Sequence, residues 1–130
     1  MKKRKLFCEL SPVCYRISLG KEYLLRDIRD TFSGEKFAGD RNTVPFSAVV
    51  KSHSSNALRR LEGVEMELQR NKLVNLRLAA AQINGIVVQP GETFSFWRLV
   101  GDPSAKRGYL DGLVISAGKL GRGIGGGLCQ

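Results

Sequence analysis

Hydrophobic and polar positions follow different rhythms along this chain, and the changes of rhythm mark its elements. From Lys21 to Phe32, the residues Leu24, Leu25, Ile28 and Phe32 fall on one face at helical spacing, with Arg26, Asp27, Arg29 and Asp30 opposite. That pattern predicts an amphipathic helix over 21–32, ended by Ser33-Gly34. Residues 1–20 show no decisive period, only a short apolar segment from Val13 to Leu19. Residues 33–46 read as a loop closing on Val44-Pro45, and Phe46 to Val50 as a short strand. Ser54-Ser55-Asn56 offers an N-cap for a short helix through Leu61, with Gly63 after it. Val64, Met66 and Leu68 alternate with Glu65, Glu67 and Gln69. The period of two favours a half-buried strand while the composition favours helix, and both readings stand. Asn71 to Asn84 is the best-defined helix. Leu73, Leu76, Ala80 and Ile83 share a stripe with Ala79 beside it, Asn71 or Asn75 is placed to cap the start, and Gly85 follows as the residue past the end.

Beyond Gly85 the segments shorten. Ile86-Val87-Val88 is strand-like, Gln89-Pro90-Gly91-Glu92 suits a type II turn, and Thr93 to Trp97 reads as a second strand. Pro103 to Gly108 is a loop, and Leu113 to Ser116 is a third strand that Ala117-Gly118 turns into Lys119-Leu120. No internal repeat or low-complexity tract interrupts this order. N-terminal helices, then a helix and short antiparallel strands joined by glycine-rich turns, predict an α+β fold and not a parallel βαβ architecture.

Composition narrows the partners. The 130 residues, 42% hydrophobic and 25% charged, fit one globular domain, and 15 glycines make it rich in turns. Lys and Arg outnumber Asp and Glu 21 to 12, for a net charge of +9. An anionic partner, such as an envelope component, is one reading, and a solvated basic surface is the other. No basic run is interleaved with aromatics, so no nucleic-acid partner is expected. No stretch approaches the ~20 apolar residues of a transmembrane helix. Met1-Lys2-Lys3-Arg4-Lys5 resembles the start of a signal peptide, but Glu9, Pro12, Arg16 and Lys21 break up the stretch from Leu6 to Leu25. The expectation is a chain without a cleaved signal, cytoplasmic or peripheral to the membrane. Cys8, Cys14 and Cys129 match no metal-binding spacing, so no metal and no cofactor is expected. Cys8 and Cys14 read as buried thiols that an oxidising compartment could pair.

The candidate chemistry lies at Gly123-Ile124-Gly125-Gly126-Gly127-Leu128-Cys129-Gln130. Glycines allow positive φ, and successive N–H groups in such a turn form an anion-binding concavity. Cys129 is the candidate nucleophile, with Gly125, Gly126 and Gly127 as oxyanion or turn residues. The plain alternative is a tight turn followed by a buried cysteine. His53, the one histidine, is a distant candidate base that only folding could bring to Cys129, and next to serines it equally fits a surface role. Ser95, Phe96 and Trp97 are candidates for a substrate groove, though aromatics on a strand more often form core. Asp102, Asp111 and Glu92 are the nearest carboxylates, and turn roles suffice for each. No Lys-Ser or Lys-Thr follows the glycines, which excludes a Walker-type P-loop, and no Gly-x-Ser-x-Gly elbow exists.

Several segments resemble, in order and spacing, the VanW-like family. They are Asn75-Leu76-Arg77-Leu78-Ala79-Ala80, Ile83-Asn84-Gly85, Pro90-Gly91-Glu92-Thr93-Phe94-Ser95-Phe96, Val100-Gly101, Gly108-Tyr109 and the terminal Gly123 to Gln130. The resemblance divides the chain into a leader, 1–70, and the N-terminal part of a VanW-like domain, 71–130. It implies an accessory role in glycopeptide resistance or cell-envelope metabolism. For the intact domain it implies L,D-transpeptidase-like acyl transfer on peptidoglycan through Cys129, with peptidoglycan precursors as partners. Family members continue past the Cys-Gln pair into a helix and a histidine-bearing segment, so the sequence is expected to be an incomplete domain. A non-catalytic binding or scaffolding protein with a basic surface, and a nonfunctional remnant, are the competing classes.

Overall fold

The computed structural model describes residues 7, 10–44, 46–58, 65–116 and 119–128. The chain divides into two compact units, Met1–Lys36 and Phe37–Gln130.

The first unit is dominated by one helix, α1 (Pro12–Phe32). It begins well before the predicted Lys21. Ser11 is extended and its hydroxyl accepts the Cys14 N–H at 3.2 Å, while Pro12 occupies the first helical turn. A side-chain cap followed by proline is a strong start signal, and it draws the segment from Val13 to Leu19 into the helix. The helix ends at Ser33, with Gly34 at φ 69°, as the sequence predicts. None of its residues is buried. Cys14 is a free, half-buried thiol and not a buried one. Cys8 lies outside the described residues.

The second unit is built on α2 (Met66–Ile83). The alternation at 64–69 resolves as helix from Met66 onward, because Leu68 and Gln69 bury adjacent positions of a helical face. The stripe turned inward is centred on Leu68, Asn75 and Ala79, whereas Ala80 of the expected stripe is exposed. Asn71 and Asn75 therefore lie inside the helix and do not cap it. At the C-terminal end, Gly85 at φ 77° follows Asn84, and the Arg41 guanidinium donates to the carbonyls of Ala81 (3.3 Å) and Gln82 (2.5 Å). A cation on the last turn also opposes the negative end of the helix dipole. Arg41 and Ile86 form an isolated antiparallel bridge, flanked by Asn42 N–H to Gly85 O (2.8 Å) and Val87 N–H to Asp40 O (2.9 Å).

Two expected elements do not form. Phe46–Val50 is no strand, and Phe46, Val49 and Val50 are 70%, 83% and 99% exposed, without the burial that would favour pairing. No helix begins at Ser54 through Leu58. Asn56 Oδ1 accepts the Leu58 N–H at 3.2 Å in a local turn, and 59–64 lie outside the described residues.

The predicted turn at 89–92 is present, with Glu92 N–H to Gln89 O at 3.0 Å and Gly91 at φ 82°. It leads into β2 (Glu92–Thr93), paired with β1 (Lys36–Phe37). The expected strand to Trp97 stops there. Phe96–Val100 is a short helix, α3, which follows extended Ser95 and closes with Gly101 N–H to Trp97 O at 2.8 Å. Helical spacing brings Phe96 and Val100 to one side, and Val100 is 1% exposed. A 3-10 turn at Ala105–Arg107 ends on Gly108, and β3 (Asp111–Ser116) then pairs antiparallel with β4 (Lys119–Ile124). The register runs from Asp111 opposite Ile124 to Ser116 opposite Lys119. The predicted connection at 117–118 lies outside the described residues. α2 packs on β3 and α3. Ala79, Val100 and Tyr109 form the core, with Leu78, Ile83, Phe96 and Leu128 packed around them. The fold is α+β, as expected.

Candidate functional site

The glycine run leaves β4 as a turn over Gly125–Gly127, and three contacts fix it against the rest of the unit. The first is the side chain of Asn75, which is 0% exposed. Its Nδ2 donates to Leu110 O (2.9 Å) and Gly126 O (3.0 Å), and its Oδ1 accepts the Leu110 N–H (2.8 Å). One amide thus joins α2, the entrance to β3 and the turn after β4. Two carbonyls on one side and an N–H on the other fix which end of the amide is nitrogen. Asn71, one helical turn earlier, adds a bond from Nδ2 to Asp111 O at 2.9 Å. Leu110 O accepts a second bond, from Gly125 N–H at 2.9 Å, so both its lone pairs are used.

The second contact is backbone against backbone. A Cβ on Gly112 would overlap the Gly126 carbonyl, and one on Gly126 would overlap Gly112. Only two glycines allow this approach. The third is local shape. Gly125 and Gly127 hold φ of 75° and 86°, and a Cβ at Gly127 would meet the Lys72 side chain of α2 at 2.6 Å. Leu128 then packs against the core.

This geometry engages two of the three glycine N–H groups. The N–H groups of Gly125 and Gly126 are committed inside the fold, to Leu110 O and to Gly123 O (3.1 Å). Among the described residues the run is a clasped turn, and Gly127 is the one of the three whose N–H has no bonded partner. Cys129 lies outside the described residues. His53 stands exposed in a segment without regular structure. Ser95, Phe96 and Trp97 sit at the start of α3. Ser95 is half-buried, Phe96 packs on the core, and Trp97 stands edge-on to it with ring centroids 5.9 Å apart and planes at 86°. Trp97 remains 43% exposed. Two of the nearby carboxylates hold structural positions. Glu92 Oε2 accepts the Gln89 N–H at 2.9 Å, and Asp111 Oδ2 meets Arg122 Nε at 3.2 Å across the hairpin. No cluster of His, Cys, Asp and Glu suited to a metal ion occurs among the described residues.

Two buried polar atoms have no hydrogen-bond partner among the described residues, the Tyr109 hydroxyl and Gln69 Oε1. Tyr109 is 2% exposed, with the Arg107 guanidinium 5.7 Å from its ring centroid. Sequence reasoning places Asn71 and Asn75 as caps and misses their role. The available signal is their spacing of four on the same face as Leu68 and Ala79, where a polar residue faces the core and needs a partner there.

The family model described as VanW like protein matches residues 71–130, the stretch holding all of α2 beyond its first turn, the clasp and the glycine turn. Over 68 residues the chain is 52% identical to the vancomycin B-type resistance protein VanW of Enterococcus faecalis, covering 52% of this chain and 25% of that protein. Over 56 residues it is 45% identical to the uncharacterized protein YoaR of Bacillus subtilis, covering 43% of this chain and 18% of that one. The chain thus spans about a quarter or less of the length of these relatives. No solved structure matches it.

Proposed function

We propose that this chain, whose residues 71–130 belong to the VanW-like family, serves as an accessory protein in glycopeptide resistance or cell-envelope metabolism. The observation that carries the reading is the 52% identity over 68 residues to a protein named for vancomycin resistance. The clasp supports it, because Asn75 and Gly126 come from two separate segments of the family resemblance and meet at one amide, joined there by Leu110, the residue after the Gly108-Tyr109 segment.

The chemistry we assign to the VanW-like domain is acyl transfer on peptidoglycan stem peptides. The Cys129 thiolate attacks a stem-peptide carbonyl, the amide C–N bond breaks, and the leaving amine takes a proton from a general acid. An acceptor amine then attacks the thioester, restores an amide and returns the thiol. The turn that precedes Cys129 is fixed by Asn75 and Leu128, which is the rigidity a nucleophile needs. A binding role is the second reading. It is favoured by the committed N–H groups of Gly125 and Gly126, which are then unavailable to an oxyanion.

Deleting the gene in its host and measuring vancomycin susceptibility tests the role. Increased susceptibility, reversed by the wild-type gene, is expected, and unchanged susceptibility overturns it. Complementation with Cys129→Ala separates the mechanisms. Failure to restore resistance from normally accumulating protein supports acyl transfer, and full restoration supports binding.

A further inference from the structure

We propose that α1 is an interfacial helix that lies on an anionic membrane surface. Its apolar residues Val13, Ile17, Leu24 and Ile28 recur at helical spacing on one stripe, with Leu25 and Phe32 along its border. Their exposures are 65%, 58%, 61%, 45%, 46% and 84%. This is no scatter of single surface leucines, because the stripe runs nearly the length of the helix. None of the residues of α1 is buried.

Charge says what covers the stripe. Lys2, Lys3, Arg4 and Lys5 precede the helix, and residues 1–36 carry nine Lys and Arg against five Asp and Glu. On the helix, Glu22 pairs with Lys21 at 3.2 Å and Asp27 with Arg26 at 3.7 Å, which offsets acidic and basic charge equally and leaves most of the excess of basic charge to the residues ahead of the helix. Asp30 lies on the arc away from the stripe, and Asp27 flanks it. Lys21 falls within the apolar arc, where a long stem can lie along acyl chains and carry its ammonium to the headgroups. A partner protein with an apolar groove would explain the stripe but not the basic cluster. An anionic lipid surface explains both. Neither signal holds a protein firmly alone: a basic cluster adsorbs weakly, and a short apolar face partitions weakly. Together they supply the two attachments that stable peripheral binding requires. The helix has no membrane-spanning alternative, since no helix among the described residues is long and apolar enough to cross a bilayer.

The test is co-sedimentation of the full chain with phosphatidylcholine vesicles, with and without phosphatidylglycerol. Binding to the anionic vesicles at least about tenfold tighter than to neutral ones, and weakened by salt, is expected. The Ile17→Asp, Leu24→Asp double variant should lose binding to both. Replacing Lys2, Lys3, Arg4 and Lys5 by Gln should cost about tenfold or more on anionic vesicles only. The thermal transition of the 37–130 unit, unchanged in both variants, serves as the folding control. Absence of vesicle binding overturns the proposal. So does binding that survives the double variant, which would be adsorption through charge alone. A lipid-free dimer that the double variant abolishes, without vesicle binding, assigns the stripe to a second copy of the chain and overturns it equally.

Discussion

The two long helices differ in a way that the separation of apolar and charged faces alone inverts. α1 has the cleaner separation of apolar and charged faces, yet it buries no residue. α2 has a poorer pattern, with asparagines and a glutamine on its inward face, yet it carries Leu68, Gln69, Asn75 and Ala79 buried and organises the core. Amphipathicity records that a face wants to leave water and says nothing about what it will meet. A polar side chain among apolar ones is more specific. Where its hydrogen bonds are met in the interior, as those of Asn75 are, it identifies a docking geometry.

Breaking the α2 side of this contrast should have the largest effect. Asn75→Ala removes three hydrogen bonds and strands the Leu110 and Gly126 backbone groups, and about 3–5 kcal/mol of unfolding free energy should be lost. Urea denaturation of the full chain measures it, and a loss under about 1 kcal/mol would show that water or local shifts replace the amide. Gly126→Ala comes next. Overlap with the Gly112 backbone cannot be relieved by a side-chain rotation, and destabilisation of about 2–3 kcal/mol is expected by the same measurement. Arg41→Ala leaves the last carbonyls of α2 to water and should cost about 1 kcal/mol, with Arg41→Lys recovering part through charge. On the α1 side, Leu24→Ser should change the stability of the lipid-free protein by less than about 0.5 kcal/mol, since its side chain is 61% exposed. A larger loss would mean that the stripe is already covered in solution.

Local signals were legible where short-range chemistry decides. Pro90-Gly91 specified its turn, Gly85 and Gly34 the helix ends, and the apolar positions around Ala117-Gly118 the hairpin strands. Long-range competition decided the rest. The aromatics of Phe94–Trp97 favour a strand, but placing Phe96 and Val100 together in the core outweighed that preference. Asparagine is a frequent cap, and the only local sign against that role for Asn75 is its place on the face of Leu68 and Ala79. Its partners, Leu110 and Gly126, are remote in sequence. The Ser11-Pro12 start of α1 was readable and was obscured by the mixed composition after it. At the candidate site, the glycines were legible as a turn. That two of their N–H groups are spent on Leu110 and Gly123 depends on the fold and has no sequence signature.

The Asn75 carboxamide is also a built-in reporter. Both of its amide protons are engaged and its surface is closed to solvent, so its side-chain resonances should be well dispersed and exchange slowly. A ligand that pulls on the glycine turn from outside would register in these two protons. The interior of the protein thus offers a spectroscopic gauge of events at its surface that requires no label.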